Sequence, residues 1–133
     1  MKKIGVIILL SMVFLGEKGF GQTIKTIDSL EKSYQACLDK GVNMLDCTKV
    51  HYQQMDNMLN LVYQKLHKKM SPTQFSQLKA EQIAWLSKRD KYFKNIPLEP
   101  EEKALGAQDR EMVIVDKKSD FVKERVMVLL KKL

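Results

Sequence analysis

Four stretches of this chain carry apolar side chains at intervals of three and four, the repeat of a helix with one buried face, and that period constrains the fold more than any other feature. Ile27, Leu30, Tyr34, Cys37 and Gly41 form the first seam. Tyr52, Met55, Leu59, Val62 and Leu66 form the second, and Phe75, Leu78, Gln82, Trp85, Arg89 and Tyr92 the third. Met112, Val115, Ser119, Val122, Val126, Leu129 and Leu133 give the last. Only Met112 to Val115 reads as a strand, and it is too short to outweigh the helical period around it. The expected fold is all-α, a small bundle of about four helices built on an antiparallel helical hairpin and carrying one disulfide. Leu59, Val62, Leu66, Phe75, Leu78, Trp85, Val122, Val126 and Leu129 are its expected core.

Punctuation between the seams sets the boundaries. Asp28 and Glu31 stand at capping-box spacing near the start of the first helix, and Gly41 suits its end. Asn43, with Asp46 three residues on, opens the second helix, which runs to about Met70. In Ser71-Pro72-Thr73-Gln74 the Ser can cap, the Pro fits the first helical position and the Gln can bond back to the cap. A connection this short turns the third helix back along the second. Pro97 and Pro100 read as a loop, and Gly106 weakens any helix through residues 101–108. The C-terminal helix is expected over about 109–132, packed back on the hairpin.

The N-terminus reads as an export signal. Met1-Lys2-Lys3 is a positive start, Ile4 to Leu15 an apolar run, and Gly19-Phe20-Gly21 offers small residues for cleavage before Gln22. An uncleaved anchor is the other reading, but the run falls short of the roughly 20 residues of a membrane span, and Glu17 and Lys18 follow closely. No Cys stands near the cleavage point, so the chain is not expected to be a lipoprotein. Residues 1–21 are thus expected to be a signal peptide and 22–133 a single helical domain, periplasmic or secreted, with no stable membrane span. Removing residues 1–21 takes three Lys and one Glu, leaving 20 basic against 15 acidic residues and a formal +5. Both cysteines, Cys37 and Cys47, lie in the exported part, and in an oxidising compartment they most simply pair with each other. The alternative, two reactive thiols, lacks a Cys-x-x-Cys spacing.

Polar residues interrupt the seams of the second and third helices. With the turn centred near residue 71, Asn60 faces Gln82, and Asp56 lies near Trp85 and within reach of Arg89. A guanidinium on a packed face needs acceptors, because stranding it costs several kcal/mol. Asp56, Asn60, Tyr63, Gln82 and Arg89 are therefore expected to form an interhelical polar network, which either fixes helix register or lines a binding groove.

The same residues carry a family resemblance. Cys37-Leu38-Asp39, Met44-Leu45-Asp46-Cys47, Asp56 with Leu59-Asn60 and Tyr63, then Gln82 with Trp85-Leu86 and Arg89-Asp90 resemble the signature of the LprI-type lysozyme-inhibitor family. The likeness covers about residues 33–93. Many members carry a further cysteine just after the Arg-Asp pair, where this chain has Lys91-Tyr92-Phe93. The resemblance implies a secreted helical domain that inhibits lysozyme. It offers no inhibitory residue to carry over by position.

The residues themselves argue against catalysis. His51 and His67 sit sixteen residues apart on one helix, more than about 20 Å at 1.5 Å per residue, with no nucleophile at an evident spacing. No enzyme activity and no cofactor are expected. Met55 and Met58 with His51 imitate a soft-metal site, but Met at helical spacing more often fills a core, so no metal is expected either. Lys65, His67, Lys68 and Lys69 gather at the turn, and Lys88, Arg89, Lys91 and Lys94 crowd the end of the third helix. Nucleic acid is not an expected partner of an exported protein. Two binding roles lead: non-catalytic occlusion of a lysozyme-like muramidase, or an envelope module holding an anionic polymer or a protein; chaperone-like binding of unfolded chains is a third and needs an exposed apolar groove. Common animal lysozymes are themselves basic, so a +5 inhibitor needs a local acidic or apolar patch. Glu99, Glu101 and Glu102 on the Pro-containing loop are the candidate contacts.

Overall fold

A computed structural model describes residues 24–133, so the expected signal segment and its cleavage point lie outside the described residues. The described residues form five α-helices and one 3-10 turn, with no strand among them. In chain order these are α1 Ile24–Leu38, α2 Met44–Lys69, α3 Pro72–Asn95, the 3-10 turn Ile96–Leu98, α4 Pro100–Lys103 and α5 Ala107–Leu130. No helix among them is long and apolar enough to cross a membrane.

The capping chemistry explains most boundaries. Ser71 Oγ accepts the Gln74 N–H at 3.3 Å while Gln74 Oε1 accepts the Ser71 N–H at 3.0 Å, so both halves of the expected capping box are made. Gly41 adopts a φ of 67°, the left-handed turn that glycine tolerates, and its N–H bonds the Leu38 carbonyl at 2.9 Å. Asn43 occupies the cap position of α2, but at φ 53° its side chain makes no capping bond. Asp28 does not cap α1, because the chain is already helical from Ile24. Gly106 caps α5 rather than only weakening it, so that helix starts at Ala107.

α2 and α5 approach each other most closely. Small, fully buried side chains at Thr48 on α2 and Ser119 on α5 leave room for that approach. The core is one cluster, in which Ile27, Met55, Met58, Leu59, Val62, Leu66, Leu78, Val122, Val126 and Leu129 are buried. Phe75 and Trp85 are only partly buried and pack against it. α3 meets α5 through aromatic rings, with Phe121 packed 4.8 Å from Tyr92 and 5.7 Å from Trp85 between centroids. It touches α2 through Tyr63–Phe75 and Tyr52–Phe93. Rings of this size hold two backbones apart.

The α1–α2 turn and the connection from α3 to α5 share one end of the bundle. Lys49 near the start of α2 pairs with Glu111 near the start of α5 at 2.9 Å. Tyr34 of α1 donates to Asp116 of α5 at 2.9 Å. Arg110 donates to the Pro97 carbonyl at 2.8 Å, which ties the connection to the same end.

Candidate functional site

The five polar residues expected to pair across the second and third helices do come together, but not as expected. Asp56, Asn60, Tyr63, Gln82 and Arg89 line one groove of about 330 Å³ between α2 and α3, with Lys79 and the apolar Leu59, Ile83 and Leu86. No ion pair joins Asp56 to Arg89. Both Nε and Nη2 of Arg89 donate to Oδ1 of Asp90, the next residue, at 3.0 and 2.8 Å. Its guanidinium also lies 5.8 Å from the ring centres of Trp85 and Phe93. Gln82 turns away from Asn60: its Oε1 accepts from Arg125 Nε of α5 at 2.9 Å. Aromatic rings stand between α3 and both of its neighbours, Phe75 and Phe93 against α2 and Trp85 and Tyr92 against α5, so the polar side chains of α2 and α3 line a groove instead of bonding one another. Tyr52 lies beside this groove. Burial first, and then the nearby Asp56 carboxylate, push its hydroxyl above its ordinary pKa.

Cys37 and Cys47 form the expected disulfide, with their Cα atoms 5.8 Å apart across the α1–α2 turn. A second polar cluster lies just below it, and the sequence reading missed it. Tyr34 stacks on His51 at 4.2 Å between ring centroids, and its hydroxyl sits 3.2 Å from Thr48 Oγ1 as well as bonding Asp116. His51 Nε2 meets Glu31 Oε1 at 3.0 Å, and Lys123 of α5 reaches Glu31 Oε2 at 3.4 Å. The signal that could have found it is the spacing of Thr48, His51 and Met55, a helical face whose first two members are polar. Beside the disulfide an open groove of about 430 Å³ exposes Val42 and Val50.

Burial lowers the His51 pKa below its ordinary value; Glu31 pulls it up and Lys123 pushes it down. A depressed folded pKa means that this contribution to stability is complete above the unfolded value of about 6.5 and is lost as pH falls through the lower folded value. The urea midpoint is therefore expected to fall between pH 7 and pH 5. His51→Phe, which keeps an aromatic ring against Tyr34, should flatten that slope. An equally steep slope in the variant would remove His51 from the account.

The connection from α3 to α5 is more ordered than a loop. Ile96 is buried, and Pro100 starts the single turn of α4. That turn aims Glu102 inward, so Glu102 is 2% exposed and paired with Lys117, not available for a partner. Lys117 holds its carboxyl below the ordinary carboxylate range. Glu99 and Glu101 are exposed, as expected. Leu98 and Leu105, which sequence reasoning did not single out, stand exposed beside them.

Among the described residues no group of three or more His, Cys, Asp or Glu is placed to hold a metal ion. The arrangement offers two open grooves and, on the connection from α3 to α5, a ridge of exposed Leu and Glu side chains. A family model described as lysozyme inhibitor LprI matches residues 30–129. Neither the curated proteins nor the solved structures compared with the chain gave a match. The family match reaches well past the motifs around residues 33–93 and takes in α4 and nearly all of α5. That extent agrees with the packing, since α5 is the main partner of α2. The chain belongs to the lysozyme inhibitor LprI family.

Proposed function

We propose that this protein is exported and inhibits a lysozyme-like muramidase without catalysis, by seating the ridge at residues 96–106 in or across the enzyme's cleft. Family membership supports the activity class. The observation that carries the choice of surface is the ridge itself. Leu98 is 59% exposed and Leu105 40% exposed, beside the exposed carboxylates of Glu99 and Glu101.

Underneath, Glu102–Lys117 and Arg110–Pro97 hold the ridge against α5. A surface ordered before binding loses less entropy on docking. Leu98, Leu105, Glu99 and Glu101 offer a basic enzyme apolar and acidic contacts, set among the exposed Lys103 of the ridge and Lys91 and Lys94 beside it. Lys68, Lys69, Lys131 and Lys132 lie at the far ends of α2 and α5. The length of α2 keeps Lys68 and Lys69 about 37 Å from its own start.

Two variants test the surface. Leu98→Ser with Leu105→Ser should weaken inhibition at least tenfold, about 1.4 kcal/mol. Glu99→Gln with Glu101→Gln should chiefly slow association and reduce its dependence on salt. Inhibition unchanged in both, with an unchanged melting temperature, would take the ridge out of the contact.

A further inference from the structure

The groove between α2 and α3 has no part in the docking ridge, and its chemistry points to a different ligand. We propose that it binds a short glycan bearing one carboxylate, an acetamido sugar acid unit within an oligosaccharide. The starting observation is unused hydrogen-bonding capacity. Asp56, Asn60 and the Tyr63 hydroxyl make no hydrogen bond to another described residue, and Gln82 spends only its carbonyl oxygen, on Arg125. Its amide nitrogen remains for the groove.

Apolar surface alternates with these groups. Ile83 is largely exposed, and Leu86 and the Tyr63 ring lie beside it. A pyranose ring presents the same combination, C–H faces that pack on apolar side chains and a rim of hydroxyl and acetamido groups that bond amides. Lys79 and Arg89 mark two ends of the groove, ten residues and about 15 Å apart along α3. Asp56 offsets one of those charges, which suits a singly anionic ligand better than a phosphate-rich one. The Arg89–Asp90 pair is solvated, with the Asp90 side chain 66% exposed, so exchanging Asp90 for a ligand carboxylate is cheap. The guanidinium fork then fits that carboxylate in two bonds.

Both walls of the groove are helices whose backbone groups are already bonded, which disfavours an extended peptide, since that needs a free strand edge. A volume of about 330 Å³ is at the low end for small-ligand sites, and the groove is open, so binding is expected to be weak.

The test is an NMR titration of oxidised protein spanning residues 22–133, without any muramidase present. The probes are the β-1,4-linked disaccharide of N-acetylglucosamine and N-acetylmuramic acid, and neutral N,N′-diacetylchitobiose. Saturable shifts at Asn60, Tyr63, Gln82 and Arg89 are expected with the acidic disaccharide, and at least tenfold weaker binding with the neutral one. Arg89→Gln should erase that preference, and Asn60→Ala should weaken both probes at an unchanged melting temperature. No saturable shift, shifts centred elsewhere, or a preference that survives Arg89→Gln would overturn the proposal. Because no enzyme is present, the outcome is independent of whether the ridge inhibits muramidase.

Discussion

Leu66→Ala is expected to lower the unfolding free energy by about 2–5 kcal/mol, the range for truncating a fully buried Leu whose surroundings cannot collapse onto the gap. Leu66 has no exposed surface and belongs to the one cluster that unites α2, α3 and α5. It sits in the last turn of α2, where its carbonyl also accepts the Met70 N–H at 2.9 Å and so helps to end the helix before the turn. The backbone there is tied down, which limits how far neighbours can move into the cavity. Leu61→Ala on the same helix is the control. Leu61 is exposed, and its truncation should cost less than about 0.5 kcal/mol. Urea unfolding separates the two, with a shifted midpoint and an unchanged slope for Leu66→Ala. Equal midpoints for the two variants would contradict the packing of α2 against α5.

Replacing both cysteines, Cys37→Ser with Cys47→Ser, should cost roughly 2–3 kcal/mol, the chain-entropy value for so short a loop. The crosslink separates residues only ten apart in sequence, at a Cα distance well inside the usual span. Its loss should be felt unevenly. α1 depends on the staple, on Ile27 in the core and on the Tyr34, His51 and Glu31 contacts, whereas α5 keeps its long seam with α2. Amide exchange in α1 should therefore quicken more than in α5. Intact mass of the wild type should stand two hydrogens below its reduced form. A uniform rise in exchange across all helices would contradict this local role.

The four long helices, their order and most of the core were legible because apolar period and capping chemistry are local properties, whereas the 3-10 turn and the single turn of α4 fall in a stretch that reads as a loop. Ser71 to Gln74 is the clearest case, since each atom of the capping box is named by the four residues themselves. Which helix opposes which polar side chain is not local. Gln82 and Arg89 stand at seam spacing, yet Gln82 is buried and bonds Arg125, more than forty residues on, and Arg89 stays partly solvated and bonds its neighbour. The short turn at Met70 makes α2 and α3 neighbours in sequence. Side-chain size decides how near they come: Phe75 and Phe93 hold α3 off, while Thr48 and Ser119 admit α5. Glu102 was misread for a similar reason. Composition makes residues 99–102 look solvated, but a single helical turn started by Pro100 points the third of its residues back at Lys117. The cluster around Tyr34, His51 and Glu31 escaped notice because its contacts join α1, α2 and α5, and helical spacing along one helix does not show which residues of another it faces.

Inhibition of a lysozyme can be read out in a stoichiometric titration. Oxidised protein spanning residues 22–133 is added in steps to each of a panel of lysozymes while lysis of bacterial cell walls is followed. The activity of at least one enzyme should fall in proportion to added protein and be lost near one equivalent, as expected of an inhibitor. Full activity of every lysozyme at large molar excess would contradict it.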